Sequence, residues 1–402
     1  MSTTAILGSG DVVAAQSHRR DISIDYLRTT LTLMVLAHHS SLAYTTFAHF
    51  DKLNVFRSTA PVVDSTRWMF LDYAENFNDV FFMSLMFFVS GLFVFPALSR
   101  HGTIGFIRDR FLRLGVPFAF AVIFLMPIAY FASWQLTGRS AGFPDFYEGL
   151  AEVGFVPGPP WFVWVLLFFD ILLALALLLL QRWVPVVARF TPKLRSWPFA
   201  VFAGVFLLAA LLYLPLLFRY GFGTWTFLFS PPLYFQISRI GLYALWFVFG
   251  FVVGVPNFAE GLLSRNGALA RRWPLWVFGC ILAYNALWFV PRWPVVNQLS
   301  DSNQQILEAL LWVGSCAASC FGFLALFRGL EMRPRWWMNS LSRSAYVMYL
   351  VHYVFITWTQ RLMLGRPVHA SIKFLFVFLS TTLLSWLTAQ ALLRVPKLKA
   401  IL

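Results

Sequence analysis

Charge is scarce in this sequence. Only 12% of its 402 residues are Asp, Glu, Lys or Arg, while 59% are hydrophobic and 19% aromatic, and the mean hydropathy is +0.70. A soluble globular chain is roughly a quarter charged. A soluble enzyme, a disordered chain and a nucleic-acid binder are therefore excluded as classes. Cysteine is equally scarce: Cys280, Cys316 and Cys320 all fall inside apolar stretches. They imply no disulfide framework. Two thiols four residues apart, Cys316 and Cys320, fall short of a metal site, and no bound metal or cofactor is expected. The 21 prolines and 24 glycines form no collagen-like or linker-like tract, and no internal repeat is present. The missing repeat weighs against an inverted-repeat transporter. Residues 1–17 lack a basic segment ahead of a hydrophobic core. The N-terminus thus reads as a disordered cytoplasmic tail over 1–20, not as a signal peptide.

What the sequence has is apolar runs of membrane length. Ten recur, over 28–48, 80–98, 114–134, 161–180, 198–218, 235–254, 274–291, 306–327, 344–361 and 372–393. They predict an all-α, polytopic transmembrane bundle of about ten spans, with a single integral-membrane domain over 21–395 and a cytoplasmic tail over 396–402. The aromatic stretch from Tyr220 to Pro232, broken by Gly and Pro, reads as re-entrant or interfacial. The formal net charge of +14 suggests a polyanionic partner until it is mapped onto the loops. With a cytoplasmic N-terminus, 21 of the 31 Lys and Arg residues fall on the inner side and ten on the outer. Six acids fall inside, ten outside, and Asp170 within a span. The surplus is therefore a positive-inside signature that puts both termini in the cytoplasm and needs no nucleic acid. Membrane lipids are the expected surroundings.

Ionisable groups inside spans are costly and usually functional. The first span carries Asp25-Tyr-Leu-Arg28 and, after ten further residues, His39. Eleven helical steps return to nearly the same face with a rise of ~16 Å, so Arg28 and His39 line one stripe and His38 points elsewhere. Asp25 and Arg28 form an i, i+3 pair suited to holding the guanidinium. Counted from the ends of the apolar runs, His39, His352, Asp170 and Ser90 all lie near mid-bilayer. The plainer reading of Ser90, Asp170 and His352 is interhelical hydrogen bonding. Between the second and third spans, Arg108, Arg110 and Arg113 cluster at the inner face. Guanidinium groups bind phosphate bidentately, though topology or lipid headgroups account for such charge as well.

Taken in order, four motifs resemble the acyltransferase-3 family of integral membrane O-acyltransferases. They are Asp25-Tyr-Leu-Arg28 with His39, Phe87-Phe-Val-Ser90-Gly91, Arg110-Phe-Leu-Arg113, and Tyr349-Leu-Val-His352. Pro160-Trp161-Phe162 also fits. Three segments, Arg110–Pro117, Tyr349–Tyr353 and Leu393–Lys399, are similar to a branch that succinylates periplasmic glucans. The resemblance implies a cytosolic acyl-CoA co-substrate, a glycan acceptor on the other side and a multi-pass location in a bacterial inner membrane. It assigns the base to His39, supported by Arg28 and Asp25, and the donor phosphates to Arg110 and Arg113 with Arg108 nearby. Ser90, Tyr349 or His352 are left to stabilise the oxyanion. An acyl-histidine intermediate at His39 is the alternative chemistry. From another class, a proton-coupled exporter of glycans or lipids would use His39, Asp170 and His352 as relay groups. An envelope scaffold would tolerate replacement of His39. The acyl group, acetyl or succinyl, and the oligomeric state are not readable from the residues.

Overall fold

The computed structural model describes residues 21–139 and 142–401, so the expected tail over 1–20 lies outside the described residues. Helix α1 (Ile22–Ser41) starts at Asp21, whose carboxylate accepts from Ser23 N and Ile24 N and so satisfies two of the free donors of the first turn. The same carboxylate pairs with Arg328 at 2.6 Å. Burial pushes the Asp21 carboxyl up, but Arg328 and the helix-start hydrogen bonds outweigh it and hold the group below its ordinary value.

Helix α2 (Met69–Gly91) is followed by a helical run from Val94 to Thr137 that is kinked at Gly102, whose φ of 65° and ψ of 175° are not helical. That run contains α3 (Val94–Arg110), α4 (Val116–Phe120) and α5 (Met126–Trp134), joined by wide turns at Phe111–Gly115 and Ala121–Leu125. Then come α6 (Phe143–Val153), α7 (Trp161–Leu180), α8 (Val184–Phe190) and α9 (Pro198–Tyr220). After a short hairpin the chain continues with α10 (Ile240–Gly254), α11 (Ala268–Arg271), α12 (Trp273–Phe289) and α13 (Asp301–Gly329). It ends with α14 (Trp336–Met363), α15 (Ala370–Leu392) and α16 (Pro396–Ile401).

The ten apolar runs coincide mainly with helix, but run 28–48 continues past the end of α1 at Ser41, run 80–98 crosses the break between α2 and α3, and run 235–254 starts on a strand. Among the described residues, seven helices are long and apolar enough to cross a membrane. Helices α1, α2 and α14 have 20, 23 and 28 residues but more polar character, because they carry most of the buried ionisable groups of the candidate site. The short hairpin overlaps the aromatic stretch from Tyr220 to Pro232 expected to be re-entrant or interfacial. Strand β1 (Trp225–Phe227) pairs antiparallel with β2 (Tyr234–Gln236), and Trp164 Nε1 donates to Tyr234 O at 2.8 Å. The fold is thus nearly, not wholly, helical.

The outward faces of α9, α12 and α15 expose Leu207, Leu211, Phe278, Leu282, Leu379 and Leu383. An apolar surface of that extent is tolerated against lipid, not water. Packing within the bundle relies on small residues. A Cβ at Gly250 would stand 2.0 Å from Phe88 O, and one at Gly91 would stand 2.2 Å from Phe247 O, so α2 and α10 touch backbone to backbone. The three cysteines are free and buried; Cys316 Sγ lies 3.5 Å from Ser84 Oγ. Helix α1 sits centrally, against α2, α13, α14 and α15.

Candidate active site

A cavity of about 330 Å³ collects side chains that are distant in sequence. Arg28 and Thr32 of α1 meet Ser90 of α2, Arg110, Arg113, Asp170 of α7, and Tyr346 and Tyr349 of α14. Three guanidinium groups face one carboxylate, which suits an anion. Ile401 of α16 also lines the cavity, so part of the expected C-terminal tail is folded against the site. A second cavity of about 450 Å³ shares Arg110 and Arg113 and adds Asp21, Asp25, Arg100, His101 and Asp109. Its acids roughly balance its arginines. Arg108 is exposed and lines neither cavity.

The local sequence explains how the arginines are held. Pro117 has no N–H to bond Arg113 O four residues back. The helix widens there, with Val116 N–H reaching Phe111 O, and the freed Arg113 O accepts the Tyr346 hydroxyl at 2.7 Å. Proline-driven widening of this kind is frequent at functional sites. Arg110 Nε lies 3.3 Å from Asp170 Oδ2, an ion pair without hydrogen-bond geometry, and its guanidinium stands 4.9 Å from the Phe106 ring.

The histidines form a second layer. The His39 ring lies 5.4 Å from His352, 5.0 Å from His38 and 5.3 Å from Tyr353. His352 Nδ1 is 2.5 Å from Tyr349 O. A carbonyl only accepts, so Nδ1 carries the proton and Nε2 keeps a lone pair. His352 Nε2 and His39 Nδ1 are both buried without a hydrogen-bond partner among the described residues. Gln360 Nε2 donates to His39 O at 3.1 Å and to Ser40 O at 3.4 Å, fixing the last turn of α1 from α14. Tyr349 joins the layers: it lines the cavity, and its ring is 5.7 Å from that of His352.

Two expectations change. The four polar groups do not share one plane. Ser90 lies in the last turn of α2, with the arginines, whereas His39 lies in the last turn of the oppositely directed α1. Counting depth from apolar-run ends failed because both helices start earlier than those runs: α2 begins at Met69 and takes in Asp72, Glu75 and Asp79. The three expected oxyanion donors are also engaged. Ser90 donates to Met86 O, the Tyr349 hydroxyl to Pro159 O, and His352 Nδ1–H to Tyr349 O. Asp25 and Arg28 stand three apart on α1, on the walls of the larger and the smaller of these cavities respectively.

Sequence reasoning passed over a further buried cluster. Asp79 pairs bidentately with Arg239, at 2.8 and 2.6 Å. Glu75 lies 3.6 Å from His38 Nδ1. The spacing of Asp72, Glu75 and Asp79, three and then four residues, marks one helical face, but these acids precede the apolar run and read as an outer loop. Among the described residues no group of three His, Cys, Asp or Glu is placed to hold a metal.

A family model, Acyl_transf_3, described as an acyltransferase domain, matches residues 21–390. No curated protein and no solved structure matches the chain.

Proposed function

The chain belongs to the acyltransferase-3 family, and from that premise we propose that this membrane acyltransferase moves an acyl group from cytosolic acyl-CoA to a hydroxyl of a periplasmic or exported glycan. The observation that carries the reading is the continuity from the arginine cavity through Tyr349 to the paired imidazoles of His352 and His39. The coenzyme A phosphates would lie against Arg110 and Arg113, where guanidinium groups outnumber carboxylates. Asp170 holds Arg110 in place for that contact.

His39 acts as general base. Its unpartnered Nδ1 takes the proton of the acceptor hydroxyl as the oxygen attacks the thioester carbonyl. The C–O bond forms, the C–S bond breaks, and the coenzyme A thiolate leaves and is protonated. Ser90, Tyr349 and His352 spend their hydrogens on backbone carbonyls, and Arg28 stands ~16 Å along α1 from His39, so none of these four is placed to donate to the transient oxyanion. Direct transfer needs only His39 as base at the acceptor hydroxyl, whereas an acyl-histidine route would require His39 to attack first.

Similarity of Arg110–Pro117, Tyr349–Tyr353 and Leu393–Lys399 to glucans biosynthesis protein C favours succinyl transfer to periplasmic glucans. The basic excess of the loops on one side favours a bacterial inner-membrane protein with cytoplasmic termini. The test is thiol release from acyl-CoA by purified protein with a glycan acceptor, alongside mass spectrometry of envelope glycans with and without the gene. His39→Ala should lower thiol release by at least ~10²-fold, the usual scale of a general base. An active His39→Ala protein, or a wild type that releases no thiol as an exporter would, overturns the proposal.

A further inference from the structure

A third cavity, larger than the two described above, is lined by none of Arg28, Arg110 and Arg113. It measures about 750 Å³, within the ~300–1,000 Å³ range of small-molecule sites. Its walls come from the first two turns of α2, the last turns of α9 and α12, and the first turns of α13. It therefore opens at the end of the bundle opposite Ser90, which lies in the last turn of α2.

The chemistry of the wall is specific. Tyr213 and Trp312 stack at 4.8 Å with an interplanar angle of 18°, and Phe222 and Trp288 add further rings. Among them stand two side-chain amides, Asn76 and Gln305, and one carboxylate, Glu308, offset by Arg292. Tyr213 Oη and Trp312 Nε1 are buried without a hydrogen-bond partner among the described residues, and buried polar atoms of native proteins are normally paired. The aromatic wall is stiffened from behind. The Arg239 guanidinium, clamped by Asp79, stands 4.5 Å from the Phe222 ring and 4.9 Å from the Trp312 ring.

We propose that this cavity binds a non-reacting sugar unit of an uncharged oligosaccharide, the acceptor of the acyl group. The inference rests on the acyl-transfer reading above and names where its acceptor is held. A sugar ring offers an apolar C–H face to aromatic side chains and hydroxyls to amides and carboxylates. With Glu308 and Arg292 cancelling, the wall gives no preference to an ionic ligand. The placement also fits. Asn76 faces the cavity, while its neighbour Glu75 faces His38, whose ring abuts His39. A glycan seated here lies across α2 from the histidines.

The test uses the full-length protein in lipid nanodiscs and a panel of neutral gluco-, galacto- and manno-hexasaccharides. Binding is measured by titration without acyl-CoA, and thiol release from acyl-CoA is recorded with the same sugars. Trp288→Ala and Glu308→Gln alter partly exposed or exposed side chains, so folding is retained, and Leu211→Ala on the outward face is the control. At least one hexasaccharide should bind the wild type and the control alike, and each cavity variant should weaken it at least tenfold. Three outcomes overturn the site: no member of the panel binds, binding is indifferent to both variants, or native mass spectrometry finds a phospholipid there that the sugars do not displace. Binding that the variants weaken, without thiol release, would keep the site and sink the acyl-transfer reading. Thiol release that the variants leave unchanged would do the reverse.

Discussion

At the scale of the residue, two hydrogen-bonded side chains control what the chemistry can use. Tyr346 holds the backbone turn that presents Arg113, through the bond to Arg113 O. Tyr346→Phe removes this bond to an exposed residue, at about 0.5–1.5 kcal/mol. The expected result is a raised KM for acyl-CoA with kcat nearly unchanged, read from thiol-release kinetics. Gln360 acts on the other layer by gripping His39 O and Ser40 O. Gln360→Leu should lower kcat about tenfold or more by releasing the last turn of α1, with little effect on the KM for acyl-CoA. The opposite split, KM for one variant exchanged for kcat in the other, would mean that the two layers are assigned the wrong way round.

At the scale of the element, the widened turn at Phe111–Gly115 trades stability for geometry. Pro117→Ala restores a donor for Arg113 O and lets the turn close to regular helix, which competes with Tyr346 for the same carbonyl. Losing the extra residue of the wide turn rotates Arg113 by roughly 100° relative to the helix downstream of Val116. The variant should melt higher and bind acyl-CoA at least tenfold more weakly, measured by thermal unfolding in detergent and by titration. The contact between α2 and α10 has no such slack. Gly250→Val places a methyl-bearing carbon where Phe88 O already sits, and backbone cannot be displaced cheaply. Membrane extracts should contain little folded protein, whereas Gly279→Val, which meets nothing within 4 Å, should accumulate normally.

At the scale of the whole molecule, the loop from Thr45 to Trp68 is strapped across one end of the bundle. Lys373 of α15 reaches Asp64 of this loop at 2.6 Å, with both side chains almost fully buried. Arg67 binds Ala43 O and Ala48 O beside them. Burial pushes the Asp64 carboxyl up, but the hydrogen bonds from Lys373 and Thr66 outweigh it, and the carboxyl is held below its ordinary value. A carboxyl lowered on folding contributes stability that is complete above its unfolded value of about 3.9 and is lost as pH falls through the lower folded value. The melting temperature should therefore fall steeply below about pH 4. Lys373→Met strands a buried carboxylate and should cost about 3–5 kcal/mol at pH 7. Asp64→Asn combined with Lys373→Met should be less damaging and should blunt the acid dependence. An acid limb that survives unchanged in the double variant would show that the strap does not govern it.

Much of this protein is legible in one dimension. The scarcity of charge and the apolar runs determine a helical membrane bundle, because lipid admits only segments that satisfy their own backbone. The spacing of Arg28 and His39 determines that they share a helical face, since both lie on one continuous helix and helical geometry is local. The four ordered motifs are enough to indicate the family. Depth was legible only in part, because helix α2 swallows Asp72, Glu75 and Asp79, which hydropathy reads as loop. The meeting of Arg110 with Asp170, of His39 with His352, and of Asp79 with Arg239 was decided by tertiary structure alone. Each pair brings together helices far apart in sequence, and no local rule states which helix faces end up opposite one another. The aromatic cavity is the extreme case: four helices each contribute one end to it, and none of their sequences by itself marks a site.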